Sequence, residues 1–421
     1  MNDAARALSL RDLLWLGAIV VIGVNLRPLL TSISPLMGTI RAATGLSFYG
    51  ASLLTSLPVI AMGIGAFGAG VLTRVLGETR GVALGLLAIA LACGARWATA
   101  SGAALLMTAG LAGIGVAAVQ ALLPAVMKQR FHARVPLAMG VFSASIMGGG
   151  GLGASVSPRV SAALGSWHAG LAVWALPAIV ALIGWLVLNR TLPVQAGQAP
   201  HRATMAPAHV NTSVNASANS SANSSANAAV PLWRTRRAWT LGLFFGIVNG
   251  GYTSLVAWLP AFYQQRGVGV AASGALLAGM TVFQAAAALL LPLAAAPFRD
   301  RRPWLALGLS AQLTGLLGLI LCPDTAAWFW VGIAGAGLGG TFSLTLVTAM
   351  DHAADHRLAG KLVAFTQGVG FVVAALAPMV AGMVRTWNGG FGGAWIMLAA
   401  CVVAMLALSL VFSPRSYTRW H

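Results

Sequence analysis

Residues 13–40 read LLWLGAIVVIGVNLRPLLTSISPLMGTI, and the stretch holds a single charged side chain, Arg27. Asp12 and Arg41 flank it. The run is long enough to cross a membrane as a helix, which takes about 20 residues. Arg27 lies about fifteen residues past Asp12, or ~22 Å along a helix rising ~1.5 Å per residue, which puts it near mid-bilayer. A guanidinium at that depth costs roughly 2.5–3.5 kcal/mol, and it does not escape by deprotonating. It needs an anionic or polar partner.

The rest of the chain has the same solvent preference. Of 421 residues, 58% are hydrophobic and 8% charged, against about 25% charged in a soluble domain. There is room for twelve spans, which the apolar pattern places within 12–189 and 238–413. The net charge of +18 raises nucleic acid as a partner, and its location argues against it. With the N-terminus taken as cytoplasmic, nineteen of the 25 Lys and Arg residues fall in one set of loops. The alternate set holds five: Arg41, Arg96, Arg159, Arg266 and Arg385. This asymmetry is the positive-inside pattern, and it predicts a multi-pass protein of a bacterial inner membrane with both termini cytoplasmic. The first apolar run outlasts a signal-peptide core and has no clear cleavage site, so it reads as a retained span. Cys93, Cys322 and Cys401 have no paired spacing and read as packing residues.

Between the sixth and seventh spans lies a polar segment, 191–237, with the low-complexity run Asn215–Asn227. It is too polar to bury and reads as a flexible cytoplasmic linker; its Asn-x-Ser/Thr triplets are chance sequons there. The linker divides a 1–190 bundle from a 238–421 bundle, and the two echo each other. Val24-Asn25 matches Val248-Asn249, with Pro35 and Pro260 expected to close the two helices. Gly148 and Gly150 stand ten and eight residues before Pro158, as Gly368 and Gly370 stand before Pro378. Small residues allow close helix approach and prolines allow bending, so Pro28, Pro35, Gly148, Gly150, Gly153, Pro158, Gly368, Gly370 and Pro378 are candidate gating positions. The expected fold is all-α, twelve transmembrane helices in two pseudo-symmetric six-helix bundles around a midplane site.

Gly23-Val-Asn-Leu-Arg-Pro-Leu-Leu-Thr-Ser-Ile-Ser-Pro35 resembles the first-helix signature of the cyanate/nitroimidazole transporter branch of the major facilitator superfamily. Leu122–Phe131, Asn249–Tyr263 and Ala359–Phe371 extend the resemblance over both halves. It implies alternating-access transport, of cyanate or of a nitroimidazole-type heteroaromatic. One departure stands out. The superfamily's loop between spans two and three usually carries an acidic residue, and here Gly70 and Gly77 are kept while Arg74 occupies the acidic place.

Asp3, Asp12, Glu78, Asp300, Asp324, Asp351 and Asp355 are all terminal or in loops, so no span offers Arg27 a carboxylate. A small monovalent anion suits its planar fork of donors; backbone carbonyls of the proline-broken helix are the structural alternative. Asn25 and Asn249 are repeat-related amides, either anion donors or interhelical hydrogen bonds. Tyr252 shares a helix face with Asn249 and adds an O–H donor. Trp258 walls the outer side or anchors at the interface, while Gln120 and Gln367 either line the cavity or pack helices. Lys361 is a second cavity cation or one more positive-inside residue. Asp351, His352, Asp355 and His356 have spacing compatible with a metal, the mark of an intramembrane transferase, against the plainer reading of a solvated loop. The sequence calls for no cofactor and no metal, and for a monomer in the bilayer carrying a small anion.

Overall fold

In a computed structural model, described over residues 9–131, 134–192, 232–352 and 356–414, all regular structure is helical. Among the described residues twelve helical segments are long and apolar enough to cross a membrane. The first span is α1 (Leu10–Val24), α2 (Pro28–Thr31) and α3 (Met37–Thr44), joined between α2 and α3 by a 3-10 turn at Ser34–Leu36. Spans two to five are α4 (Phe48–Leu76), α5 (Glu78–Ala95), α6 (Gly102–Phe131) and α7 (Val135–Ala163). Two helices make the sixth, α8 (Trp167–Ala172) and α9 (Ala175–Thr191). The second bundle is α10 (Arg236–Gln265), α11 (Val270–Ala295), α12 (Arg302–Leu321), α13 (Ala327–Asp351), α14 (His356–Asn388) and α15 (Gly392–Ser409). Most of the 191–237 segment, including its sequons, lies outside the described residues. An even number of crossings puts the two ends of this array on one face, called here the terminal face.

The first span is not the single helix expected to end at Pro35. It breaks at Asn25–Arg27, because Pro28 has no N–H and its ring excludes the Val24 carbonyl from helical register. The turn is closed by Asn25 N–H to Ile22 O (3.0 Å) and Leu26 N–H to Gly23 O (3.1 Å). The bared backbone is covered by α7, through glycines. A methyl group at Gly149 would collide with the Val24 carbonyl, and one at Gly153 would lie 2.8 Å from Pro28 Cα. The glycine run of span five therefore admits the broken helix. Gly148 has nothing within 4 Å and Gly150 is in ordinary contact with Arg27 Cβ at 3.5 Å.

Of the other prolines, one departs from expectation. Pro260 does not close its helix, since α10 continues to Gln265. Pro158 and Pro378 sit inside continuous α7 and α14. At Pro378 the missing N–H would orphan the Ala374 carbonyl, and Thr253 Oγ1 of α10 donates to it at 2.7 Å. Gly368 and Gly370 seat the rings of Phe67 and Phe245 against their helix. Between α4 and α5, Gly77 takes φ +69, the left-handed conformation glycine favours. Glu78 beside it accepts from Gln129 Nε2 of α6 at 2.7 Å, so in this half the loop is tied down without the acidic residue that Arg74 replaces.

The bundles meet through α4 against α14 and α7 against α11. On the face away from the termini the seam is shut. Ser34 Oγ donates to Ala257 O (3.1 Å), and Gln264 Nε2 donates to Pro35 O (2.8 Å) and Ser273 Oγ (2.9 Å). Phe48 and Trp258 pack with ring centroids 5.7 Å apart.

Candidate functional site

Below that seam a cavity of about 350 Å³ opens between the bundles. Its walls come from Met62 and Ala66 of α4, Gln120 and Pro124 of α6, Phe142 and Met147 of α7, Phe342 of α13, and Gln367 and Phe371 of α14. These positions occupy the parts of their helices nearer the terminal face, so the cavity lies on that side of the closed seam.

Arg27 lies in the wall, 8% exposed, with Cζ 4.9 Å from the Tyr252 ring centroid. The ring comes from α10 of the other half. A desolvated cation–π contact contributes about 2 kcal/mol, less than burial of the charge takes away. Among the described residues Arg27 has no carboxylate partner, and its Nε is buried with no hydrogen-bond partner, an omission worth roughly 1–3 kcal/mol. Among the described residues no carbonyl accepts from its Nε. The guanidinium, the Tyr252 ring and the cavity thus lie side by side.

Gln120 and Gln367 join Arg27 around this cavity, each half-buried, one from each bundle. Tyr252 contributes its ring face rather than a wall-lining hydroxyl. Asn249 is buried one turn earlier on α10, its amide donating to Phe245 O at 3.4 Å, and it does not line the cavity. Of the two readings for Asn25, the structure shows the interhelical hydrogen bond. Its amide turns away into the first bundle, donating to Val21 O (2.6 Å) and Pro177 O (3.1 Å), where it fastens the helix break to α9. Trp258 is fully buried with Nε1 on Pro378 O at 2.9 Å, so it anchors at no membrane interface and packs the outer seam. Lys361 is exposed and supplies no cavity cation.

The acidic and histidine cluster is engaged elsewhere. Asp351 accepts from Arg301 Nε at 2.8 Å. His352 Nδ1 meets Thr348 O at 2.6 Å and Nε2 meets Arg237 Nη2 at 2.8 Å. A guanidinium only donates, so Nε2 accepts and the ring is neutral; burial drops its pKa to about 4, with Arg237 adding to the effect. Asp355 and the His356 side chain lie outside the described residues. Among the described residues no group of three His, Cys, Asp or Glu is placed to hold a metal.

Several wall residues were not singled out from the sequence: Met62, Phe142, Met147, Phe342 and Phe371. Apolar side chains facing a cavity have the same sequence pattern as those facing lipid. Gln264 and Ser34 of the seam were also missed; polar side chains within apolar helices were the signal available.

The chain is similar to known carriers along most of its length. A family model described as Major Facilitator Superfamily matches residues 15–378. The cyanate transport protein CynX of Escherichia coli (strain K12) is 43% identical, over 94% of this chain and 96% of that protein. The 2-nitroimidazole transporter of the same organism is 27% identical, over 89% of each chain. Among solved structures, a D-xylose-proton symporter superposes with a TM-score of 0.74 at 13% identity, covering 95% of this chain and 98% of that one, which speaks for the fold alone. With twelve membrane-crossing helices in two bundles and a family match over most of its length, the chain belongs to the Major Facilitator Superfamily.

Proposed function

We propose that this protein carries a small monovalent anion, cyanate, across the inner membrane by alternating access, with Arg27 as the anion anchor. The observation that supports it most is a buried guanidinium at a cavity wall with an unpartnered Nε and, among the described residues, no carboxylate partner. The likeness to a cyanate transport protein names the anion. Gln120 and Gln367 donate amide hydrogen bonds to the bound anion, and Tyr252 holds the guanidinium plane. The anion neutralises the cavity and lowers the barrier to closing the halves, 1–190 and 238–421, over it. The working unit is one copy in the bilayer, with the cavity side and both termini cytoplasmic by charge asymmetry.

A negative interior opposes entry of one negative charge by about 2.3 kcal/mol per 100 mV. Asp12, Glu78 and Asp351 stand at the ends of their helices, so no span offers a mid-membrane carboxylate to relay protons, and transport runs as facilitated diffusion or anion exchange. A second reading rests on cavity size. About 350 Å³ is far more than a triatomic anion fills, given a water's share of ~30 Å³, and Phe142, Phe342 and Phe371 suit a planar heteroaromatic. Uptake of labelled cyanate into proteoliposomes, competed by nitrate, bicarbonate and 2-nitroimidazole, separates the two. The anion reading expects saturable uptake, weak competition by the nitroimidazole and slowing by an interior-negative voltage. Uptake of the neutral heteroaromatic with no cyanate flux would replace it.

A further inference from the structure

A second pair of arginines, away from the cavity, sits across the closed seam. Arg41 ends the first span and Arg385 ends the eleventh, so they come from opposite bundles and meet on the face away from the termini. Both guanidinium groups lie over one ring, that of Phe48, at 3.4 and 3.9 Å from its centroid. Arg41 Nε donates to Leu46 O at 3.0 Å. Arg385 Nε is buried with no hydrogen-bond partner. Neither has a carboxylate partner among the described residues; Asp324, on the same face, is held by Arg266 through Nε–Oδ1 at 2.7 Å. Two like charges are thus brought together at the closed seam, received by the Phe48 ring, by one carbonyl and, for Arg385, by the Phe391 ring 5.6 Å away.

We propose that Arg41 and Arg385 form a second anion site at the outer mouth of the pathway, one cation on each half, that takes a small monovalent anion from solution while the halves are apart. Phe48 receives both guanidinium groups once the anion has moved inward, so the ring closes the gate that the anion has left. This inference rests on the reading that the cargo is a small anion. Charged entrances raise association rates by 10–10³ and lose that advantage as salt rises, which sets the signature.

The test is initial-rate uptake of labelled cyanate and nitrate into proteoliposomes of fixed protein orientation, at low and high ionic strength. The wild type is compared with Arg41→Gln/Arg385→Gln, Arg41→Lys/Arg385→Lys and Arg159→Gln, the last removing an exposed outer-face charge elsewhere. Removing both charges is expected to lower influx Vmax/KM roughly tenfold at low salt, mostly through KM, and to flatten the salt dependence. The Lys pair and Arg159→Gln are expected to stay within about twofold of wild type, and monodispersity with an unchanged melting point shows that each variant folds. A Gln pair with wild-type KM and salt dependence overturns the proposal, as does a Vmax loss alone with the salt dependence intact, which would make the pair a latch only. If the wild type moves neither anion, the anion-carrier reading fails, and this site with it; if the wild type moves one and Arg27→Ala does not, the outcome bears on the outer pair alone.

Discussion

The first and seventh spans begin from the same dipeptide and build opposite parts of the site. Val24-Asn25-Leu-Arg-Pro28 aligns with Val248-Asn249-Gly-Gly-Tyr252, so Arg27 corresponds to Gly251 and Pro28 to Tyr252. In the first span the proline breaks the helix and leaves a guanidinium at the cavity wall. In the seventh the helix is unbroken across thirty residues, and the position equivalent to the proline carries the ring on which that guanidinium rests. A pseudo-symmetric scaffold therefore yields an asymmetric arrangement, with charge from one half and an aromatic ring from the other. Pseudo-symmetry predicts paired amides at Asn25 and Asn249; the break instead rotates Asn25 out of the cavity and onto the Pro177 carbonyl.

The asymmetry can be broken one residue at a time. Arg27→Ala is expected to have the largest effect, a loss of cyanate uptake of about 100-fold or more, since truncating one side of a buried charge interaction takes roughly 2–5 kcal/mol. Arg27→Lys keeps charge without the planar fork and is expected to fall between. Both checks are initial rates in proteoliposomes, with melting points to show that the fold persists.

On the opposite half, Tyr252→Leu removes the ring and is expected to raise KM about tenfold, for a cation–π loss near 1–2 kcal/mol. Tyr252→Phe keeps the ring and is expected to stay within about twofold. A large loss in Tyr252→Phe would restore the hydroxyl as the working group.

The glycine run offers a comparison between neighbours. Gly149→Ala drives a methyl group into the Val24 carbonyl and is expected to destabilise the protein by roughly 1–3 kcal/mol. Gly148→Ala points into open space and is expected to shift stability by under about 0.5 kcal/mol. Melting curves in detergent decide between them. Asn25→Ala is expected to lower stability by about 1 kcal/mol and leave the KM for cyanate unchanged, whereas an amide serving the anion would move KM.

The effect furthest from the cavity concerns pH. His352 is depressed from an ordinary value near 6.5 to about 4 in the folded protein by burial. A group lowered on folding binds fewer protons in the native state, so its contribution is fully present above pH 6.5 and is lost as pH falls toward 4. Melting points of wild type and His352→Asn between pH 7 and pH 4 are expected to converge on the acid side.

Much of this was legible in the sequence, and the gaps have physical causes. Arg27 declared itself because one charge in a long apolar run is costly in any fold. The twelve spans followed from length and hydropathy. The first span's break was half legible: Pro28 was in view, but Pro35 looked like the end of the helix, and the 3-10 turn that carries the chain on to Thr44 depends on packing against α10 through Ser34 and Gln264. Pro158, Pro260 and Pro378 were read alike as bends or ends. At Pro378 the freed Ala374 carbonyl finds a partner from another helix, Thr253, and no local pattern encodes such a partner. Trp258 illustrates the same limit, since facing the seam or facing headgroups depends on Phe48 and Pro378, more than a hundred residues away in each direction.

Equilibrium binding of labelled cyanate to purified wild type and to Arg27→Ala tests the central claim most directly. The account expects one saturable site in the wild type, displaced by nitrate more readily than by 2-nitroimidazole, and no saturable binding in Arg27→Ala. Wild-type affinity retained in a folded Arg27→Ala protein would contradict it.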